Sequence, residues 1–304
     1  MSAAEDDILV PFLIDAGAIR GRLVRLGPAL DGILAGHAYP PAVAARLAET
    51  LALAAALAGS LKFDGVFTLQ LQAEGAIPLI VADVTSDGNL RGYARYDAER
   101  LAVAEAADGP PVPRYLGPGF LAFTVDQGPD TNRYQGIVAL DGDTLEDCAQ
   151  EYFRQSEQLE TAFKLAVRSP RDGAGWQAAA VMVQRMPTGP SSPIFTAEEA
   201  AEAWNRAVIL LHSAREAELF DPKLPAERLI YRLYHGDGVQ MHDTRRLQAR
   251  CRCEAGRVGD TLRSFPRAQV EEMRDDSGRV VVTCEFCKTD YVFADTDLDR
   301  LYAA

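Results

Sequence analysis

The sequence predicts an α+β protein in three parts: an N-terminal domain of antiparallel sheet and packed helices (1–187), a helical linker (188–234) and a small cysteine-bearing C-terminal domain (235–304). Three observations predict it. Period-two alternation runs through the first half, as in Phe67, Leu69 and Leu71 against Thr68, Gln70 and Gln72. From Asp143 the apolar spacing becomes helical. A composition shift at Pro187 then separates these elements from an amphipathic helical segment and from four cysteines grouped near the C-terminus. A chain of 304 residues is also long for a single core.

In chain order, 22–26 reads as a short strand, and Pro40-Pro41 opens a helix running to about Leu61. Strands follow at 66–72, 79–84, 90–96, 120–125 and 134–140, with Asp87-Gly88-Asn89 marking a hairpin turn. Asp143 and Glu146 suit a capping box, and Leu145, Cys148, Ala149, Tyr152 and Phe153 continue as an apolar helical stripe. Two more strands are expected at 162–167 and 177–183. After the linker breakers at 188–193, Thr196-x-x-Glu199 is a capping box for a helix carrying Trp204, Val208 and Leu211 on one side. Such a helix needs a surface to rest on, because short isolated helices are marginal in water. Pro222 and Pro225 end it, and a second helix is expected at about 226–234. No internal repeat is evident.

The net charge of −13 argues against nucleic acid as the main partner, since phosphates are repelled. The most apolar stretch, 41–61, is interrupted by Arg46, Glu49 and Thr50, so it reads as a core helix and no membrane span is expected. The acidic residues 1–7 lack the basic start of a signal peptide. A cytoplasmic location follows, where thiols stay reduced. There, Cys251-x-Cys253 and Cys284-x-x-Cys287 read as a metal or redox site and not as a disulfide frame. Four thiolates in two close pairs suit one closed tetrahedral zinc site, so one Zn2+ is expected on Cys251, Cys253, Cys284 and Cys287. Two uses remain open at this point: a static zinc ribbon, or a switch. Metal-bound cysteines are thiolates, the form oxidants attack, and each pair is close enough to form its own disulfide, that between Cys251 and Cys253 closing a very small, strained and so reducible loop.

The residues around these cysteines and far from them resemble the redox-regulated heat shock protein 33 family of bacterial chaperones. The resembling segments are Arg20-Gly21-x-Leu23-Val24, Leu61-Lys62-Phe63-Asp64-Gly65, Leu69-Gln70-Leu71-Gln72 and Arg91-Gly92-x-Ala94-Arg95. Others run from Arg133-Tyr134-Gln135-Gly136 through Gly142-Asp143-Thr144-Leu145 to Tyr152-Phe153 and Ser156-Glu157-Gln158, and at Arg232-Leu233-Tyr234-His235. The resemblance implies an ATP-independent holdase and not an enzyme, zinc-bound and inactive when reduced. On oxidation, it implies disulfides Cys251–Cys253 and Cys284–Cys287, zinc release, unfolding of linker and C-terminal domain, and binding of unfolding clients. It also implies a monomer when reduced and a dimer when oxidised. One departure is Glu254, where relatives often carry serine.

Other residues read more plainly. Cys148 lies on an apolar stripe and suits a buried, inert thiol. His235 and His242 come near the cysteines, but four thiolates already complete a tetrahedron. Tyr152, Phe153 and Trp204 read as core residues, with Trp204 placed to become exposed if the linker opens. Leu116-Gly117-Pro118-Gly119 lacks the lysine of a phosphate loop and reads as a turn. Two other functions compete. A nucleic-acid-binding ribbon would use the clustered Arg245, Arg246, Arg250 and Arg252. A thiol oxidoreductase would need Cys284 at a helix start, but Tyr291, Val292 and Phe293 suggest a hairpin.

Overall fold

The computed structural model describes residues 6–128, 133–171, 173–187 and 196–303, and the linker breakers at 188–193 lie outside the described residues. These fall into two compact units that divide between Ala249 and Arg250. The first opens with β1 (Ile8–Ile14), β2 (Ile19–Leu26), α1 (Pro28–Leu34) and α2 (Pro41–Ala58). Next come β3 (Val66–Ala73), β4 (Leu79–Thr85), β5 (Asn89–Arg95), α3 (Ala98–Ala106), β6 (Gly119–Asp126) and β7 (Tyr134–Ala139). It continues with α4 (Leu145–Tyr152), β8 (Thr161–Arg168), β9 (Gln177–Arg185), α5 (Ala197–Ser213), α6 (Glu216–Leu219) and α7 (Ala226–Tyr234). It closes with three two-residue strands, β10 (Gln240–Met241), β11 (Arg245–Arg246) and β12 (Gln248–Ala249).

These strands make two sheets. One has the order β10-β1-β2-β9-β8, with β11 also on β1, and every pairing is antiparallel. The other has the order β12-β5-β4-β3-β6-β7, antiparallel except for the parallel β12–β5 pair. Helix α2 packs on β2, β8 and β9 of the first sheet and on β3, β4 and β5 of the second. It is long and apolar enough to cross a membrane by composition alone, yet 78% of it is buried inside the protein. Its alanines suit that place: a helix buried on all sides needs small side chains wherever strands approach.

The first sheet's other face is covered by α5, α6 and α7. Ile8, Val10, Phe12, Ile19, Leu23, Val181 and Val183 from the sheet meet Trp204, Leu211, Leu219, Leu229, Ile230 and Tyr234 from the helices. Helix α5 starts where the sequence expects: Thr196 Oγ1 accepts the Glu199 N–H at 3.1 Å and Glu199 returns a bond to the Thr196 N–H at 2.8 Å. Trp204 is buried in this layer, as are Tyr152 and Phe153 in the α2 layer.

Three details differ from the sequence reading. The capping box of α4 belongs to Thr144 and Asp147, not to Asp143 and Glu146. Glu146 instead accepts the Leu165 N–H at 2.9 Å and ties α4 to β8. Strand β1 is an addition, because both of its faces are covered and its residues run apolar without alternation. Residues 240–249, grouped by the sequence with the cysteines, pair with β1 and β5 in the first unit. The β4–β5 turn forms at Asp87-Gly88 as expected, with Gly88 at φ +84. A Cβ there would stand 2.3 Å from the Arg246 carbonyl oxygen, so this close approach of β11 admits glycine alone.

Candidate metal centre

The second unit is small. It contains α8 (Ala255–Arg263), α9 (Arg267–Glu271), β13 (Val280–Thr283), β14 (Asp290–Phe293) and α10 (Asp295–Tyr302). Its buried core comprises Leu262, Val270, Val280, Phe293 and Leu298. Strands β13 and β14 form a hairpin with Val280 opposite Phe293 and Thr283 opposite Asp290. The turn between them carries Cys284 and Cys287. The Lys288 N–H donates to the Cys284 carbonyl at 2.8 Å and the Cys284 N–H to the Thr289 carbonyl at 2.9 Å, with Lys288 at φ +56. Both thiols are thereby held on one side of a tight knuckle. Cys251 and Cys253 lie in the extended segment leading into α8, and Glu254 is the N-cap residue of that helix.

All four sulfurs lie within 4.8 Å of one another. Cys251 Sγ is 3.8 Å from Cys284 Sγ, and Cys253 Sγ is 3.3 Å from Cys287 Sγ. Four thiolates about 2.3 Å from a central zinc would stand about 3.8 Å apart, so the donor set and its spacing fit a closed tetrahedral zinc site. His235 and His242 are not among the converging ligand atoms.

Cys287 and Cys253 are shifted in opposite directions. Burial opposes ionisation of Cys287, but hydrogen bonds from the Thr289 hydroxyl and N–H and from the Cys253 and Cys251 thiols outweigh it and pull it down to about 6. Burial pushes Cys253 up to about 12 against a hydrogen bond from the Tyr291 hydroxyl.

A model of the Hsp33 protein family matches residues 7–294. The chain belongs to the Hsp33 family. Among curated relatives, the 33 kDa chaperonin of Caulobacter vibrioides is 40% identical over 289 residues and covers 94% of each chain. That of Ectopseudomonas mendocina is 38% identical and covers 98% of this chain and 96% of its own. The fold is similar to the crystal structure of the Hsp33 homologue of Thermotoga maritima, with a TM-score of 0.78, 21% identity and 98% coverage of both chains.

Within this Hsp33 frame the remaining residues find their places. The Glu254 carboxylate is exposed and turns to Arg257 Nε at 3.0 Å. The hairpin expected around Cys284 is present as β13–β14, and neither Cys284 nor Cys287 starts a helix. Gly117, in the stretch that reads as a turn, has φ +68 and leads into β6. Cys148 is fully buried, and burial with the nearby Asp147 and Asp141 carboxylates pushes its thiol up to about 12. Iodoacetamide applied to native, metal-free, reduced protein is therefore expected to label the four clustered cysteines and spare Cys148 at neutral pH. Peptide mapping checks this, and rapid native labelling of Cys148 would contradict its inert role.

Proposed function

We propose that the protein is a redox-regulated, ATP-independent holdase chaperone of the cytoplasm, silent when reduced and loaded with zinc. The observation that carries this reading is the convergence of Cys251, Cys253, Cys284 and Cys287 in a unit whose own core is too thin to hold it. When bound, zinc supplies a fourfold thiolate crosslink that folds the unit. Peroxide is the oxidant of the switch. Each thiolate pair gives up two electrons to one peroxide, which takes up two protons from solvent and is reduced to two waters while a disulfide forms and the zinc is released.

The proposed bonds are Cys251–Cys253 and Cys284–Cys287, although sulfurs of opposite pairs also approach closely. Topology favours the within-pair bonds as the activating ones. A bond across the pairs would replace the metal as a staple between the hairpin and the segment before α8. Bonds within the pairs leave no crosslink between them, so the unit has only its thin core and unfolds. Loss of α5, α6 and α7 from the first sheet would then bare an apolar face built from β1, β2 and β9, to which unfolding clients bind. A monomer when reduced and a dimer when oxidised suit this scheme, since a bared apolar face also attracts a second copy.

The test is zinc release, followed with a metal-sensitive dye during peroxide treatment, alongside suppression of a model client's aggregation. Release in step with a gain in holdase activity, reversed by reductant with zinc, is the expected result. Release without any gain would leave a static metal ribbon.

A further inference from the structure

The face of β2 that meets α5–α7 carries Ile19, Gly21, Leu23 and Arg25 at alternate positions, so an arginine ends an otherwise apolar row. Arg25 is 2% exposed. Its Nη1 donates to the Leu224 carbonyl at 2.7 Å and its Nη2 to the Glu218 carbonyl at 3.1 Å. Nε is buried with no hydrogen-bond partner. Both acceptors belong to the covering helices: Glu218 lies in α6, and Leu224 in the connection from α6 to α7. Burial disfavours the Arg25 cation, while the carboxylates of Asp6, Asp221 and Glu227 favour it. Two of those three carboxylates are on the same covering segment.

We propose that Arg25 is the positioning residue that seats the α6–α7 segment on the first sheet and so keeps the client-binding face covered in the reduced protein. The inference deepens the gated-holdase reading and rests on it. A planar fork spans two carbonyls in one fixed geometry, so it sets the segment's place along β2 as well as its attachment. Apolar contacts alone tolerate sliding, and the fork does not. The seat is also marginal. Of the guanidinium's donors, Nε gains nothing on closure, and the whole cation regains water when the segment lifts. Opening therefore has a driving force stored at the anchor itself, and closure depends on both carbonyls being met.

The decisive variant is Arg25→Lys. It keeps the buried charge but cannot serve two diverging carbonyls in a plane, so the closed state loses a charge-assisted bond and keeps its desolvation cost. A second variant, Asp221→Asn, removes a half-buried carboxylate on the covering segment that favours the Arg25 cation, without touching the sheet. Both would be prepared reduced and zinc-loaded, with zinc content and melting of the first unit measured alongside. The expected result is cleavage of the 196–234 region by a dilute protease about tenfold faster for Arg25→Lys. Asp221→Asn should show a smaller change of the same sign. Client aggregation should be suppressed without oxidant, with zinc content unchanged.

Parental cleavage rates and no activity in both variants would overturn the proposal. So would faster cleavage with no activity, provided the oxidised parent holds clients. Should Arg25→Lys lose its cooperative melt, Asp221→Asn decides alone. If the oxidised parent itself fails to hold clients, the holdase reading falls, while the cleavage rates still decide whether Arg25 seats the segment.

Discussion

Stripping the metal from zinc-loaded protein is expected to unfold residues 250–304 while the two large sheets of the first unit stay folded. Five buried apolar side chains make up the second unit's core, against the scores of buried residues in the first. A four-thiolate zinc site supplies roughly 10–16 kcal/mol of apparent binding free energy at neutral pH. A whole domain is typically stable by only about 5–15 kcal/mol. Losing the metal therefore removes stability on the scale of everything such a unit possesses. Hydrogen exchange gives the readout residue by residue. The amides of Val280, Val282 and Phe293 in the hairpin should lose protection on chelation, and those of Leu69 and Val181 in the two large sheets should keep it. Cys287→Ser should do the same without chelator, since it removes one of the four converging sulfurs. A hairpin still protected without metal would sink the claim that the cysteines hold the unit.

The second large effect concerns Glu49, which sits inside α2 and is 7% exposed. Arg46 Nη1 approaches its Oε2 at 2.5 Å, yet that oxygen accepts no aligned hydrogen bond. Burial raises the carboxyl from 4.5 to about 7, with Arg46 pulling it down and the Glu146 carboxylate adding to the rise. A raised acid binds its proton more tightly in the folded chain than in the unfolded one. Its contribution is complete below about pH 4.5 and disappears as pH rises through about 7. A rise of that size corresponds to about 3 kcal/mol. The melting temperature of the first unit should therefore fall as pH is raised from about 5 to about 8. Glu49→Gln should flatten that slope and stabilise the protein at about pH 8 by up to about 3 kcal/mol. Thermal melts across the range decide it. A parent and variant with parallel pH profiles would show that Glu49 is charged in the fold and already balanced.

Much of this molecule can be read from the amino acids. Strand β3 alternates visibly, the other strands show as short apolar runs, and β3 through β9 fall where the sequence puts them, within a residue or two. The Thr196 capping box places α5, and the two cysteine spacings alone bring four sulfurs to one point. What local reading misses is set by distant partners. Strand β1 has no alternation: Ile8, Val10, Phe12 and Ile14 pack into the core under α5–α7, while Leu9 joins the core around α2. Strands β10 to β12 are two residues each and exist only because the edges of β1 and β5 are there to pair with. Arg25 in a strand looks like a solvent-facing residue until the helices that bury it are known. Thr144 and not Asp143 caps α4, and Glu146 bonds to β8, a long-range partner no local window contains.

The two large sheets differ in how far along the chain their partners lie. In the β3–β7 sheet, neighbours are mostly joined by short turns, so loop-closure entropy is small and pairing can begin as soon as the hairpins exist. The other sheet joins opposite ends of the unit: Gly21 pairs with Val183, and Phe12 with Met241. Such pairings are slow to nucleate, since a long loop must close before any contact rewards it. On a ribosome the β1–β2 hairpin emerges long before β9 and α5–α7 exist to complete it. The face proposed to hold clients is thus the last one this chain covers in itself, and a newly made molecule passes through its own client-like state before reaching the closed one.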